Sequence, residues 1–272
     1  MSKPDPLPAK RLRRTSAPAP AASAAPATPI TPSGKPQRHF AIIGAGMAGI
    51  ACARTLVQAG HRVTVFEKSH QAGGRTATID SPFGNFDAGA QYFTVRDPRF
   101  ARAIDTVPGI CKRWSANSVQ VLDAAGRVAA VGLPHREAHW VATPGMQSLV
   151  TTWAEPLAQA GQLVTHTRVT RIEPDAVNAP GWQLRTEGAG GEQHVYAGFD
   201  AVLLAQPSVP AQALISGSGL DSPLADAMSK VAIAPCWTLM LAYPQAVRPG
   251  LTTLGPQWNA ARSTHHRIAW LA

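Results

Sequence analysis

The sequence predicts an α/β fold with a parallel sheet, and three observations predict it. The run "HFAIIGAGMAG", His39 to Gly49, passes from a short β-branched apolar stretch into a glycine-rich turn. Such a stretch, apolar throughout rather than alternating, is expected of a parallel strand covered on both faces. Beyond the turn, Ile50, Ala53 and Val57 recur at i, i+3 and i+7, one stripe of a helix that Gly60 can end. "RVTVFE", Arg62 to Glu67, is then a second strand. Strand, turn, helix and strand thus follow within about 30 residues, the length of a βαβ unit.

Later elements follow the same logic. "TPGMQSLVTTW" predicts a second helix with Thr143 as N-cap and Pro144 at its first position. Met146, Leu149, Val150, Trp153 and Leu157 form its apolar stripe, and Pro156 is expected to kink or end it. "LVTHTRVTRIE", "GWQLRTE" and "HVYAGFDAVLLAQP" read as strands between turn-rich segments, the last holding Ala201–Ala205 as another candidate buried strand. No internal repeat is present.

Composition bounds the function classes. The 272 residues, 45% hydrophobic and 15% charged, suffice for a sizeable core. No apolar run approaches the roughly 18–20 residues of a membrane helix, so no span is expected. The formal net charge of +9 lies mostly in residues 1–40, which hold seven Lys/Arg against Asp5. The remainder is only mildly basic, which argues against a nucleic-acid partner. Residues 1–37, rich in Ala, Pro and Ser, read as a disordered basic tail, with no apolar segment of a secretory signal. Cys52, Cys111 and Cys236 are scattered and form no CxxC, which suits a reducing, cytoplasmic setting with buried or inert thiols and no zinc site.

The chemistry begins at the glycine turn. In GxGxxG, Gly44 permits the tight turn, Gly46 lets the backbone approach a pyrophosphate, and Gly49 lets the helix pack against the strand. The helix N-terminus supplies N–H groups for the phosphates. Glu67, 23 residues after Gly44, stands where an acid accepts hydrogen bonds from an adenosine ribose. Its charge also opposes a 2′-phosphate, which disfavours NADP. All of this suits NAD and FAD equally. The second glycine pair with its cation, Gly73-Gly74-Arg75-Thr76, favours the longer ligand, whose pyrophosphate and flavin extend past the first turn.

With these motifs on the page, the chain resembles the GxGxxG…E…GGR flavoproteins that include amine oxidases, protoporphyrinogen oxidase and phytoene desaturase. "FDAGAQYFTVRDPRF", "WVATPGMQSLV", "FDAVLLAQPSVPAQALI" and "APCWTLMLAYP" resemble segments of its renalase-like bacterial FAD-dependent oxidoreductases. The resemblance implies an FAD-binding Rossmann-like domain over 38–93 and 143–207. It also implies an inserted α+β substrate domain over 94–142 and 208–272. Gly44, Gly46, Met47, Ala48 and Gly49 would line the diphosphate, and Glu67 would hold the ribose. Gly74, Arg75 and Thr76 would follow the phosphates and ribityl chain, and Ala90, Gln91 and Tyr92 would approach the isoalloxazine. Val169 would meet the adenine through its backbone, and Ala205 and Pro207 would end the strand that closes the domain near the ligand.

The implied activity is transfer of hydride from an amine or dihydronicotinamide-type donor to flavin N5, with dioxygen as acceptor. Alternatives are a non-catalytic or decayed dinucleotide-binding module and an amine oxidase of unknown substrate. Residue patterns identify no catalytic side chain. Tyr92 and Trp237 are candidates for the substrate pocket or for packing, while Phe93 reads as core. His135, His265 and His266 lack carboxylates at ligand spacing, so no metal is expected. The chain ends inside the apolar run "HHRIAWLA", where the resembled group continues with a Gly-Asp segment beneath the flavin. On that resemblance the chain reads as C-terminally truncated, with its last strand unpartnered and FAD binding weak.

Overall fold

The computed structural model describes residues 31–114, 119–130, 137–220, 222–242, 260–265 and 267–272. Residues 1–30 of the expected tail, together with His135 and His266, lie outside the described residues. Residues 31–37, expected within that tail, are placed against the chain after the first helix. Thr31 is buried, and Gln37 Nε2 donates to Gly60 O at 2.8 Å.

In chain order, β1 (His39–Ile43), α1 (Met47–Gln58) and β2 (Arg62–Phe66) form the expected βαβ unit. A 3₁₀ turn (Gly74–Thr76) leads to a hairpin of β3 (Thr78–Ser81) and β4 (Gly84–Asp87). Then come β5 (Phe93–Thr94), α2 (Pro98–Asp105), β6 (Cys111–Arg113), β7 (Val119–Leu122), β8 (Val128–Ala130) and β9 (His139–Ala142). The chain continues with α3 (Ser148–Gln159), β10 (Leu163–Val164), β11 (Thr167–Pro174), β12 (Trp182–Gly188), β13 (Gln193–Phe199) and β14 (Ala201–Leu204). Last are α4 (Ser208–Gly217), α5 (Pro223–Ser229), β15 (Ala260–Ser263) and β16 (Trp270–Leu271).

The organising layer is a parallel sheet in the order β10-β2-β1-β14. Its pleat explains the continuous apolar run of β1. Ile42 faces one core with Ile50, Ala53, Leu149, Val150 and Trp153 of α1 and α3. Ala41 and Ile43 face a second core with Val169, Ile172, Leu184 and Phe199 of the antiparallel sheet β11-β12-β13. Alternate residues enter opposite layers, so both must be apolar. The α/β class with a Rossmann-like parallel sheet therefore holds.

Several local expectations are corrected. Val57 is 37% exposed, so the buried face of α1 is Gly49, Ile50 and Ala53. Thr143 does not cap α3, because its N–H and hydroxyl both donate to Ile110 O, and the helix starts at Ser148. Pro156 does not end α3, which continues to Gln159 while Trp153, Ala154 and Leu157 anchor that turn in the core. Ala201–Leu204 are half-buried, since β14 is the sheet edge. The last strand has a partner, because β16 pairs antiparallel with β15. Helix α4, assigned by sequence to the second unit, packs on β11: Leu214 joins its core, and Ile172 N donates to Ser218 Oγ at 2.9 Å. Cys52 and Cys111 are half-buried and burial pushes their thiols up, but Cys236 is exposed, contrary to the expectation of a buried thiol.

The turn from β11 to β12 is held by one carboxylate. Asp175 accepts from the backbone N–H of Asn178 and Val177, from the Asn178 amide and from Gly198 N. These bonds, led by the Asn178 N–H, hold its pKa down to about 2 from the ordinary 3.8. A depressed carboxylate stabilises the fold fully above its unfolded pKa and loses that contribution as pH falls through the folded value. We therefore expect stability to decline between about pH 4 and pH 2, and Asp175→Ala to flatten that part of the profile. Thermal unfolding of both proteins across this range checks it. An unchanged profile in the variant would refute the assignment.

Candidate functional site

The first glycine turn connects β1 to α1. Gly44 has φ 107° and its N–H donates to Phe66 O at 2.8 Å, tying the turn to the end of β2. A Cβ there would lie 2.9 Å from Ala205 O, so the turn runs directly against the end of β14. A Cβ on Gly49 would overlap Gly44 O. Gly46 is the N-cap of α1 and brings no side chain to the helix end. The first-turn N–H donors, including those of Met47 and Ala48, are thereby left for an anionic ligand.

Glu67, just past β2, is buried at 7% exposure. Its Oε2 accepts from Ala45 N at 2.8 Å and its Oε1 from Ser69 N at 2.9 Å. Each oxygen spends one acceptor site on backbone and keeps another for hydroxyl groups. The carboxylate thus braces the first glycine turn and the start of the segment after β2.

The second glycine turn lies beside the first. Gly73 N donates to Ala45 O at 3.0 Å, and Gly46 and Gly73 form a parallel bridge. Gly74 has φ 60°, and a Cβ on it would come within 3.2 Å of Gly46 Cα. The turn closes through Thr76 Oγ1 and Thr76 N, both donating to Gly73 O. Arg75 is exposed and makes no ion pair among the described residues. Its carbonyl accepts from Ala90 N at 3.0 Å, which joins the third motif to the second.

In that third motif the Gln91 amide is fixed at both ends. Nε2 donates to Gly89 O at 2.6 Å and to Asp87 O at 3.2 Å, while Oε1 accepts from Trp270 Nε1 at 3.0 Å. The Tyr92 ring lies 4.2 Å from His139, 5.6 Å from Trp114 and 6.2 Å from Trp270, centroid to centroid. Phe93 packs on the α1–α3 core edge-on to Phe100, as read from sequence.

Gly44, Gly46, Met47, Ala48, Gly49, Glu67, Gly74, Arg75, Thr76 and Ala90 are therefore linked through the backbone into one constellation, with Gln91 and Tyr92 adjoining. Val169 belongs to a different layer, 8% exposed on β11 where the register with β12 shifts. Trp237, read from sequence as pocket lining or packing, is not packed among the described residues. It is 97% exposed, on a segment, 231–242, that forms no strand among the described residues. A cleft of about 290 Å³ between α1 and α2, with Arg54, Arg99 and Arg102 in its wall, contains none of the glycine-turn residues. Among the described residues, no group of three His, Cys, Asp or Glu is placed to hold a metal. Sequence reasoning missed Gln147, whose side chain reaches under the second glycine turn. The only local sign of it is its place in "TPGMQSLV", beside the predicted helix start.

The residues of this constellation lie inside the segment that matches a known family model. Residues 42–107 match the model of an NAD(P)-binding Rossmann-like domain. A putative L-amino-acid oxidase, YobN of Bacillus subtilis, is 49% identical over 55 residues, 19% of this chain and 12% of that protein. A 4,4'-diapophytoene desaturase of Staphylococcus haemolyticus is 42% identical over 58 residues, 21% of this chain and 12% of that protein. The chain thus matches only a small part of the length of these relatives. A triple mutant of putrescine oxidase superposes with TM-score 0.50 at 15% identity, over 64% of this chain and 59% of that one, a likeness of fold.

Proposed function

We propose that this chain binds FAD across its two glycine turns and forms the cofactor-binding part of an FAD-dependent oxidoreductase of the flavin amine oxidase type, nearest to its renalase-like members. The observation that carries this is the pairing of the turns: Gly46 bridges Gly73, and Glu67 braces Ala45 between them. An NAD site needs the first turn and the acid. A second turn whose glycines are required by close approach to the first suits a ligand that continues beyond the adenosine diphosphate. The glycines fit: a Cβ on Gly74 would lie 3.2 Å from Gly46 Cα, and one on Gly44 2.9 Å from Ala205 O, so both turns need glycine to approach this closely. The oxidase and desaturase names of the relatives support the same reading.

In this reading the N–H groups of Met47 and Ala48 meet the diphosphate at the helix end. Glu67 accepts from the ribose hydroxyls and repels a 2′-phosphate. Thr76 and the exposed Arg75 follow the phosphates and ribityl chain, Ala90 to Tyr92 border the isoalloxazine, and Val169 meets the adenine from β11. Bound flavin supplies a two-electron acceptor for hydride from an amine or dihydronicotinamide-type donor, with dioxygen as the final acceptor. The protein's part is to orient the donor and exclude water. Residues 38–93 and 143–207 serve as the FAD-binding unit, with α4 packed against its β11, and residues 94–142 and those after α4 form the substrate unit. No helix among the described residues is long and apolar enough to cross a membrane. The free cysteines suit a cytoplasmic enzyme.

The test is anaerobic bleaching of the FAD-loaded protein with each donor class in turn. Loss of flavin colour with one of them, restored by air, is the expected result. A loaded protein that neither class bleaches would overturn the proposed reaction.

A further inference from the structure

Gln147 precedes α3 and is 6% exposed, with its amide under the second glycine turn. Nε2 donates to Ala72 O at 2.6 Å and Oε1 accepts from Thr78 N at 2.9 Å. One partner lies just before the Gly73–Thr76 stretch and the other just after it, so a single amide clasps both ends of the turn. The fit leaves no slack: a Cβ on Gly73 would lie 2.8 Å from Gln147 Cγ and 2.9 Å from its Nε2. The glutamine is itself held. Its backbone N–H donates to Thr78 Oγ1, the Thr78 hydroxyl donates to Asp87 Oδ1 at 2.7 Å, and that oxygen also accepts from Met146 N at 2.8 Å. A connected, largely buried network of this kind favours one geometry. This one ties the start of α3, the β3–β4 hairpin and the glycine turn together.

We propose that Gln147 is a positioning residue for the cofactor, setting the separation of the Gly73–Thr76 turn from the first glycine turn and thereby the affinity for FAD. The inference rests on the FAD reading above. Position 147 needs a donor and an acceptor on one planar group at this reach. A primary amide supplies both, whereas a carboxylate only accepts and would turn a lone pair toward Ala72 O. A protonated carboxyl again supplies both. Gln147→Glu therefore converts a constant clasp into one that closes only in acid. Burial raises the pKa of the introduced carboxyl and brings that closure into an accessible pH range.

The experiment is FAD affinity of the full chain at pH 8 and pH 5, followed by quenching of flavin fluorescence. For Gln147→Glu we expect affinity about tenfold or more below wild type at pH 8, recovering most of the difference at pH 5. Wild type supplies the reference profile. Gln147→Met keeps the volume, loses both bonds and is expected to bind weakly at both pH values. It also serves as the readout if Gln147→Glu does not fold. Unchanged affinity in the variants would overturn the proposal. So would a loss in Gln147→Glu that follows the wild-type pH profile, because a merely structural role predicts that. Wild type that fails to bind FAD at all overturns the underlying cofactor reading instead.

Discussion

Gly49→Val is expected to abolish dinucleotide binding, weakening FAD affinity by more than about a hundredfold and destabilising the fold by about 3 kcal/mol. A Cβ on Gly49 would overlap Gly44 O and lie 3.2 Å from the Ala205 Cβ. Gly44 cannot yield, because it is fixed to Phe66 O and packed on Ala205 O. The helix must therefore move off the sheet, carrying the N–H groups of Met47 and Ala48 away from the proposed phosphate position. Buried Ile50 and Ala53, on the same face of α1, lose their packing with it. Gly217→Ala is the matched control, since nothing lies within 4 Å of that Cβ and no left-handed backbone is required. Calorimetric FAD titration and thermal melts of both variants check this. Retained affinity in Gly49→Val would remove the first glycine turn from the site.

Glu67→Ala is the second large effect, with FAD affinity expected to fall about tenfold or more. The substitution acts twice. On the proposed FAD reading it removes the acceptor for the ribose hydroxyls, and it leaves Ala45 N and Ser69 N without the carboxylate at a residue only 7% exposed. Leaving a buried donor unsatisfied costs about 1–3 kcal/mol. Glu67→Gln separates the contributions only in part, because its NH₂ group must face one of the two backbone donors. The discriminating measurement is the ratio of affinities for NADP and NAD. Wild type opposes the 2′-phosphate through its carboxylate, so the ratio should rise in Glu67→Ala even as overall binding weakens. A fixed ratio with full FAD affinity would place the ribose elsewhere.

The parts of this site that sequence conveyed are those whose cause is local. The β1–α1–β2 unit was legible because the glycine spacing and both apolar runs lie within one short segment, with Glu67 at its end. The second glycine turn was legible for the same reason. What escaped depends on contacts distant along the chain. Gln147 acts on Ala72 and Thr78, 75 and 69 residues away, and nothing in "TPGMQSLV" announces that. The same distance effect misled the reading of Thr143, whose hydroxyl donates to the distant Ile110 O instead of accepting from the first turn of a helix. Val57 fitted the helical stripe of α1 but lies past the edge of what the sheet covers. Trp237, open from sequence between pocket lining and sheet packing, stands on a segment that forms no strand among the described residues.

The central claim is that the paired glycine turns hold FAD rather than NAD. Equilibrium binding of FAD, NAD and NADP to the full chain under one set of conditions tests it most directly, with the visible spectrum recorded on the loaded protein. The account predicts one FAD per chain, the yellow absorbance of oxidised flavin, and FAD affinity above that for NAD and far above that for NADP. A colourless protein that binds NAD stoichiometrically and takes up no FAD would contradict it.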